Sequence, residues 1–352
     1  MGWRMQPTEA SPTASEYTGA GGRGSAYAEL SRTIKRAGLL GRRPGYYAAH
    51  GALLGTLAAA CGLALVLIGD SWWQLVVAAA MAVVSTQLGF FGHDAGHRQI
   101  FTSGRANRAL GVLLANLGVG FSYGWWIDKH NRHHAHPNDE EKDPDIEAGA
   151  LAFTIGQALG SGRVARAFYR YQAWFFFPLL LLEAVNLRAA SVRHLASGGC
   201  ERRVREALLL GLHVAGYLVI LFLVMSPAKA LAFIAVHQGL FGLYLGCAFA
   251  PNHKGMPSLS ADEAADFLRR QVLTSRNVRG HWTIDFVLGG LNYQVEHHLF
   301  PSMPRGNLRH AQRIVREYCH AHRIPYLETG LFASYAQALR HLDRVGRAPS
   351  AQ

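Results

Sequence analysis

Four long apolar runs dominate the chain: 48–69, 72–91, 207–225 and 229–250. Each approaches the roughly 20 residues that an α-helix needs to cross a hydrocarbon layer about 30 Å thick. A soluble domain seldom repeats such runs, so the pattern predicts transmembrane helices. The first two are joined only by Asp70-Ser71 and the last two only by Ser226-Pro227-Ala228. Links this short make helical hairpins, and the expected fold is an all-α integral membrane protein with four transmembrane helices in two hairpins.

Weaker patterns fill the spaces between. Residues 109–126 are moderately apolar and glycine-rich, with Phe121, Tyr123, Trp125 and Trp126 at the end. A third crossing here would put histidine clusters on either side of it on opposite faces of the membrane, so an interfacial or re-entrant segment is expected. Trp174–Leu182 is too short to span, is interrupted by Pro178 and is ended by Glu183, which predicts a helix lying on the membrane. Ser31–Arg43 is basic and amphipathic and reads as an interfacial helix. Residues 1–30 are rich in Gly, Ser, Thr and Pro and lack a signal-peptide pattern; they are expected to be a disordered tail. Residues 31–344 then form one domain, and 345–352 a second tail.

Charge orients this frame. The 352 residues carry a formal charge of +12. Arg and Lys are dense in 31–43, 98–142, 163–205 and 254–347, whereas the short opposite links have only Lys229 at an edge. Basic residues mark the cytoplasmic side and meet anionic headgroups there, so both termini and the long polar segments are expected to be cytoplasmic. No nucleic-acid motif accompanies the charge, and nucleic acid is rejected as a partner. Cys61, Cys200, Cys247 and Cys319 are scattered without C-x-x-C spacing, against a disulfide framework or thiolate metal site.

Three histidine clusters lie on that shared side. His93 and His97 stand in HDAGH, His130, His133 and His134 in HNRHH, and Gln294, His297 and His298 in QVEHH. Spacings of i, i+3 and i+4 put each set on one helix face. One such pair is weak support for a ligand role, because polar residues at helix ends are often structural. Three on one side of a membrane point to a joint metal site. Seven box histidines exceed the four ligands of one tetrahedral zinc and suit two ions with open positions. Imidazole favours iron, copper or zinc, and redox iron permits oxygen chemistry beside a bilayer. Asp94 and Glu296, inside the boxes, could orient imidazoles or lie exposed; the acidic run Asp139–Asp145 reads as a solvated face. His50, His213 and His237, single in apolar runs, read as structural polar contacts.

The order HDAGH, HNRHH, QVEHH, with a hydrophobic hairpin before the last box, resembles the membrane fatty acid desaturase family over roughly 46–316. The resemblance implies four transmembrane helices capped by a cytosolic helical domain holding a di-iron centre, with the seven box histidines as iron ligands. It also implies a further ligand from the end of the fourth span, where His253 is the matching residue, with Asn252 beside it acting through water. Gln294 stands where other members have histidine, as in front-end and bacterial relatives; its carbonyl oxygen could coordinate weakly, act through water or orient a neighbour.

The reaction so implied removes two hydrogens from adjacent methylenes of a fatty acyl-CoA or acyl lipid, with O2 as co-substrate. Tyr123, Trp125 and Trp126 are candidates for substrate contacts, or for an interfacial aromatic belt. Two electrons must come from a separate donor, such as a ferredoxin with its reductase, which a basic face including Arg269, Arg270, Arg276 and Arg279 could receive. A di-iron hydroxylase of an alkyl, sterol or carotenoid substrate is the competing reading. A four-span receptor or metal transporter would place its ionisable residues within the spans, and here they cluster outside.

Overall fold

The computed structural model describes residues 26–259 and 264–348. Of the tails expected at 1–30 and 345–352, residues 1–25 and 349–352 lie outside the described residues. Among the described residues helices account for nearly all regular structure, and four are long and apolar enough to cross a membrane: α2 (Pro44–Ile68), α3 (Gln74–Gly96), α10 (Arg203–Val224) and α11 (Pro227–His253). Burial separates them. Half of the most apolar window of α3 and 33% of that of α11 are buried, against 11% for α2 and α10. α3 and α11 therefore form the centre, while α2 and α10 turn apolar flanks outward, with Leu67 74% and Leu223 80% exposed. Apolar residues all round a helix are stable there only against lipid.

The two hairpins are tied at their short links. Ser226 N donates to Asp70 Oδ1 at 2.8 Å, and Lys229 pairs with Asp70 at 3.0 Å. The opposite ends of α3 and α11 carry His93 and His253, so the hairpins point both toward one pole.

Two further segments bend. α4 (Gly104–Val112) runs through a π-helical stretch, Leu113–Val119, to Gly120, and α5 (Tyr123–Ala135) leaves at 111°. Gly120 has φ +86°, a conformation glycine adopts without a Cβ clash. A bend of this size has the shape of either a re-entrant loop, as expected for 109–126, or a broken span. α6 (Ile155–Gly160) and α7 (Arg163–Tyr169) precede α8 (Gln172–Leu180) and α9 (Glu183–Ala196), which meet at 74° beside Pro178. If each bent pair were one span, the total would be six by length and composition.

The cap consists of α12 (Phe267–Leu273), α13 (Trp282–Val287), α14 (Gln294–Leu299), α15 (Arg305–Ala321) and α16 (Leu331–Gly346), plus the parallel two-residue strands β1 (Asn277–Val278) and β2 (Glu328–Thr329). Its core joins Leu268, Val295, Leu299, Met303, Leu308 and Val315, all at most 2% exposed.

Three expectations are corrected here. The first helix, α1, starts at Ala26, inside the expected tail, and Leu30 and Ile34 are fully buried in the cap core rather than at a membrane surface. An amphipathic stripe fits a protein neighbour as well as a headgroup layer, and α15 supplies the neighbour. At the other end α16 continues to Gly346 because Val345 is buried. Arg276 is 1% exposed and donates to Pro251 O, Lys254 O and Gln337 Oε1, so it belongs to the interior and not to a docking face.

Candidate metal centre

Four helix ends bring the histidines together. His93 lies in the last turn of α3 and His97 is its C-cap; α5 presents His130, His133 and His134; α11 ends on His253; and α14 carries His297 and His298. Candidate ligand atoms of His93, His97, His130 and His297 lie within 4.8 Å of one another, as do those of His133, His253 and His298. His134 sits between the groups. Its ring stacks on His298 with centroids 4.2 Å apart and lies 4.7 Å from His97 and 4.8 Å from His297. All eight histidines singled out from the sequence thus meet in one connected set.

The outer ring nitrogens of three of them are held by the protein. His133 Nδ1 donates to both oxygens of Asp143 at 3.0 Å, His253 Nδ1 to Thr274 O at 3.0 Å and His298 Nδ1 to Gln271 Oε1 at 2.9 Å. Gln271 Nε2 also donates to His134 O at 2.9 Å, linking α12 to α5. A donor at Nδ1 leaves the lone pair on Nε2, the tautomer that can take a metal. Burial, reinforced by neighbouring imidazoles, holds His97, His130, His134, His297 and His298 well below the ordinary histidine range, so these rings are neutral.

Whether such a set fits a metal is tested by its unspent atoms. His93 Nε2 and His297 Nε2 are buried without a hydrogen-bond partner, and a buried unpaired polar atom costs about 1–3 kcal/mol. His97 Nε2 and His130 Nε2 face each other at 2.8 Å, and His253 Nε2 and His298 Nε2 at 3.1 Å. Neutral nitrogen donors converging on two adjacent points fit two borderline-soft divalent ions.

The remaining polar candidates divide. Asp94 is buried, 3.6 Å from His93 Nδ1 and 2.8 Å from Arg305, so it forms an ion pair tying the end of α3 to α15 rather than a hydrogen bond to the imidazole. Glu296 is fully buried but turned away, accepting from Asn277 Nδ2 at 2.7 Å and Tyr326 OH at 2.8 Å, and burial pushes its carboxyl up to about 7. Neither lies exposed. Asp143, from the run read as a solvated face, is instead buried against His133. No local sequence signal separates it from its acidic neighbours; the fold alone brings it against His133.

Gln294 Nε2 lies 2.8 Å from His253 Nε2, and Gln294 Oε1 accepts from Asn252 Nδ2 at 3.2 Å. Asn252 Oδ1 is buried without a partner. Both amides therefore border the second histidine group. Half-turns of the two amides would exchange their oxygen and nitrogen atoms and keep the bond between them.

Trp126 stacks on His130 at 4.6 Å and meets His93 edge-on at 5.5 Å. Room for it comes from Gly96, where a Cβ would fall 2.3 Å from the indole. Tyr123 and Trp125 are at most 9% exposed inside the protein, so they do not form an exposed belt; Tyr123 reaches Trp126 at 6.4 Å.

Comparison with known proteins agrees with this construction. A family model described as fatty acid desaturase matches residues 70–330. An acyl-lipid (9-3)-desaturase of Physcomitrium patens is 30% identical over 79% of this chain and 54% of its own length. A delta(6)-fatty-acid desaturase of Caenorhabditis elegans is 31% identical over 78% of this chain and 65% of its own. A delta(8)-fatty-acid desaturase of Helianthus annuus is 26% identical over 90% and 72%. The chain thus spans little more than half to about two thirds of the first two relatives. With its helical frame, its clustered histidines and a match over most of its length, the chain belongs to the fatty acid desaturase family.

Proposed function

We propose that this protein is an O2-dependent fatty acyl desaturase that places a cis double bond in an acyl chain through two irons. The observation that carries the reading is the meeting of seven histidines in two adjacent groups at one pole of the spans, with His134 between them. On this proposal His93, His97, His130 and His297 hold one iron, and His133, His253 and His298 the other, with His134 between them. Asn252 and Gln294 border the second iron, and Gln294 would face it through Oε1 after rotation of its amide. The two irons, when bound, supply the O2 reduction and hydrogen removal that no side-chain acid or base can perform.

This chain's residues do the rest. Asp143, Thr274 O and Gln271 keep the Nε2 lone pairs aimed inward. Trp126 covers one flank of the first group and is the aromatic best placed to touch an acyl chain there. Removing two hydrogens from the chain yields two electrons, while reducing O2 to two waters needs four. The other two come one at a time from a separate one-electron carrier such as a ferredoxin, and the two further protons come from water. The substrate is an acyl chain on a lipid or on coenzyme A, and the membrane carries it. The paired hairpins and the basic bias of the long segments support a multi-pass arrangement with this pole in the cytoplasm.

The test is expression of the full chain in a host lacking such enzymes, with several acyl chain lengths supplied. Gas chromatography and mass spectrometry of derivatised fatty acids should show a new double bond, abolished by His298→Ala while the protein remains in the membrane. A hydroxylated product without unsaturation would move the assignment to a hydroxylase.

A further inference from the structure

The second histidine box rides on a helix that starts in the middle of a sharp bend. Bends of this kind free backbone groups that water cannot satisfy at membrane depth. Here α9 and α10 satisfy them. His213 Nδ1, on α10, donates to Leu117 O at 2.8 Å, and Arg188, on α9, to Val119 O at 2.9 Å. Ser191 Oγ, also on α9, accepts from Ser122 N at 3.1 Å. Glu206, in the first turn of α10, does most. One carboxylate oxygen accepts from Ser122 Oγ at 2.7 Å, Gly124 N at 3.0 Å and Asn116 Nδ2 at 3.3 Å, and the other lies 3.4 Å from Cys200 Sγ. Asn116 Oδ1 in turn accepts from Tyr123 N at 3.2 Å.

Glu206 is only 4% exposed, and Asn116, Ser122 and Ser191 are fully buried. A buried carboxylate is stable only when its oxygens are occupied by donors. Among the described residues, the hydrogen bonds to this one come from the bend and from the loop before α10, and the Ser122 it grips is the N-cap of α5. The positive end of α5 also favours a negative group there. α5 is 13 residues long, and a change of angle at its cap is carried to its far end. His133 lies eleven residues on, about 16 Å along the axis. A tilt of about 5° at the cap would displace it by more than about 1 Å.

We propose that Glu206 is a positioning residue for the second histidine box: through Ser122 and Gly124 it fixes the start of α5, and thereby where His130, His133, His134 and Trp126 stand against the other boxes. The proposal rests on the two-iron reading for its consequence and on the bend alone for its geometry.

The experiment uses the full chain in detergent, with Fe2+ as the probe. Glu206→Ala and Glu206→Gln are compared with Ser122→Ala, the double variant Ser122→Ala/Glu206→Ala, and the exposed neighbour Arg205→Ala. In Glu206→Ala, amides of 122–124 should exchange with deuterium at least tenfold faster while those of α2 and α10 do not change. Bound iron should fall below half of the wild-type amount per chain. Glu206→Gln should fall between, Arg205→Ala should match wild type, and the double variant should lose little more than Glu206→Ala, because the two share one contact. Unchanged exchange at 122–124 overturns the proposal, as does full iron retention. So does faster exchange spread evenly over all helices, with Ser122→Ala indistinguishable from wild type. Wild-type protein that takes up no iron and forms no double bond would sink the desaturase reading, and the exchange measurement would still decide the clamp.

Discussion

Asp143 decides which nitrogen of His133 faces the centre. Its two oxygens take the Nδ1 proton at 3.0 Å, and its own position is fixed by backbone donors from Asn138 at 2.7 Å and Asp145 at 2.9 Å. Partners of this kind typically govern metal affinity by 10- to 100-fold. Asp143→Ala should therefore weaken iron retention by about that factor, measured as iron per chain after dialysis, whereas Asp143→Asn, whose carbonyl still accepts from Nδ1, should lose less. Equal iron in wild type and Asp143→Ala would show that His133 needs no such support. At this scale the sequence was unevenly readable. The histidines were legible because i, i+3, i+4 spacing puts them on one face whatever else the helix does. The carboxylates were not, since Asp143 looks like its solvated neighbours in NDEEKDPD, while Glu296, inside a box, points the other way to Asn277 and Tyr326. Direction depends on where the next element packs, and no local pattern encodes it.

Among elements, the contact of α3 with α5 is set by a single absent side chain. Gly96 occupies the last turn of α3, and Trp126 fills the space its Cβ would need, lying also on His130 at 4.6 Å. A methyl group 2.3 Å from the indole cannot be accommodated without movement, and overpacking of this kind costs about 1–3 kcal/mol. Gly96→Ala should thus lower the thermal midpoint and activity together by displacing the second box. Gly96→Ala combined with Trp126→Leu should recover part of the midpoint, because the smaller side chain relieves the clash. A midpoint unchanged by Gly96→Ala would refute the close approach. That 109–126 does not run on as one straight span was inferable from span parity and glycine content, and the chain bends there by 111°. α1 was not: hydrophobic periodicity reports that a face is buried, and leaves open whether lipid or α15 covers it.

At the scale of the whole molecule, the metal would join parts that the chain keeps far apart. The first group draws on α3, α5 and α14, and the second on α5, α11 and α14, so each ion bridges the spans to the cap. Without ions, buried Nε2 atoms such as those of His93 and His297 have no partner, and their cost falls on the folded state. Binding to the folded state alone adds RT ln(1 + [L]/Kd), about 2.7 kcal/mol per site at a hundredfold excess over Kd. Iron should accordingly raise the thermal midpoint of the purified protein in detergent, and the rise should saturate at two ions per chain. Zn2+, which suits imidazole but carries no redox chemistry, should restore the midpoint and not the formation of double bonds. The comparison separates two roles that activity alone would merge. A midpoint restored by zinc with turnover absent assigns the histidines to a structural clasp as well as to chemistry, whereas saturation at one ion per chain would mean that the two groups do not fill independently and that His134, between them, belongs to a single site.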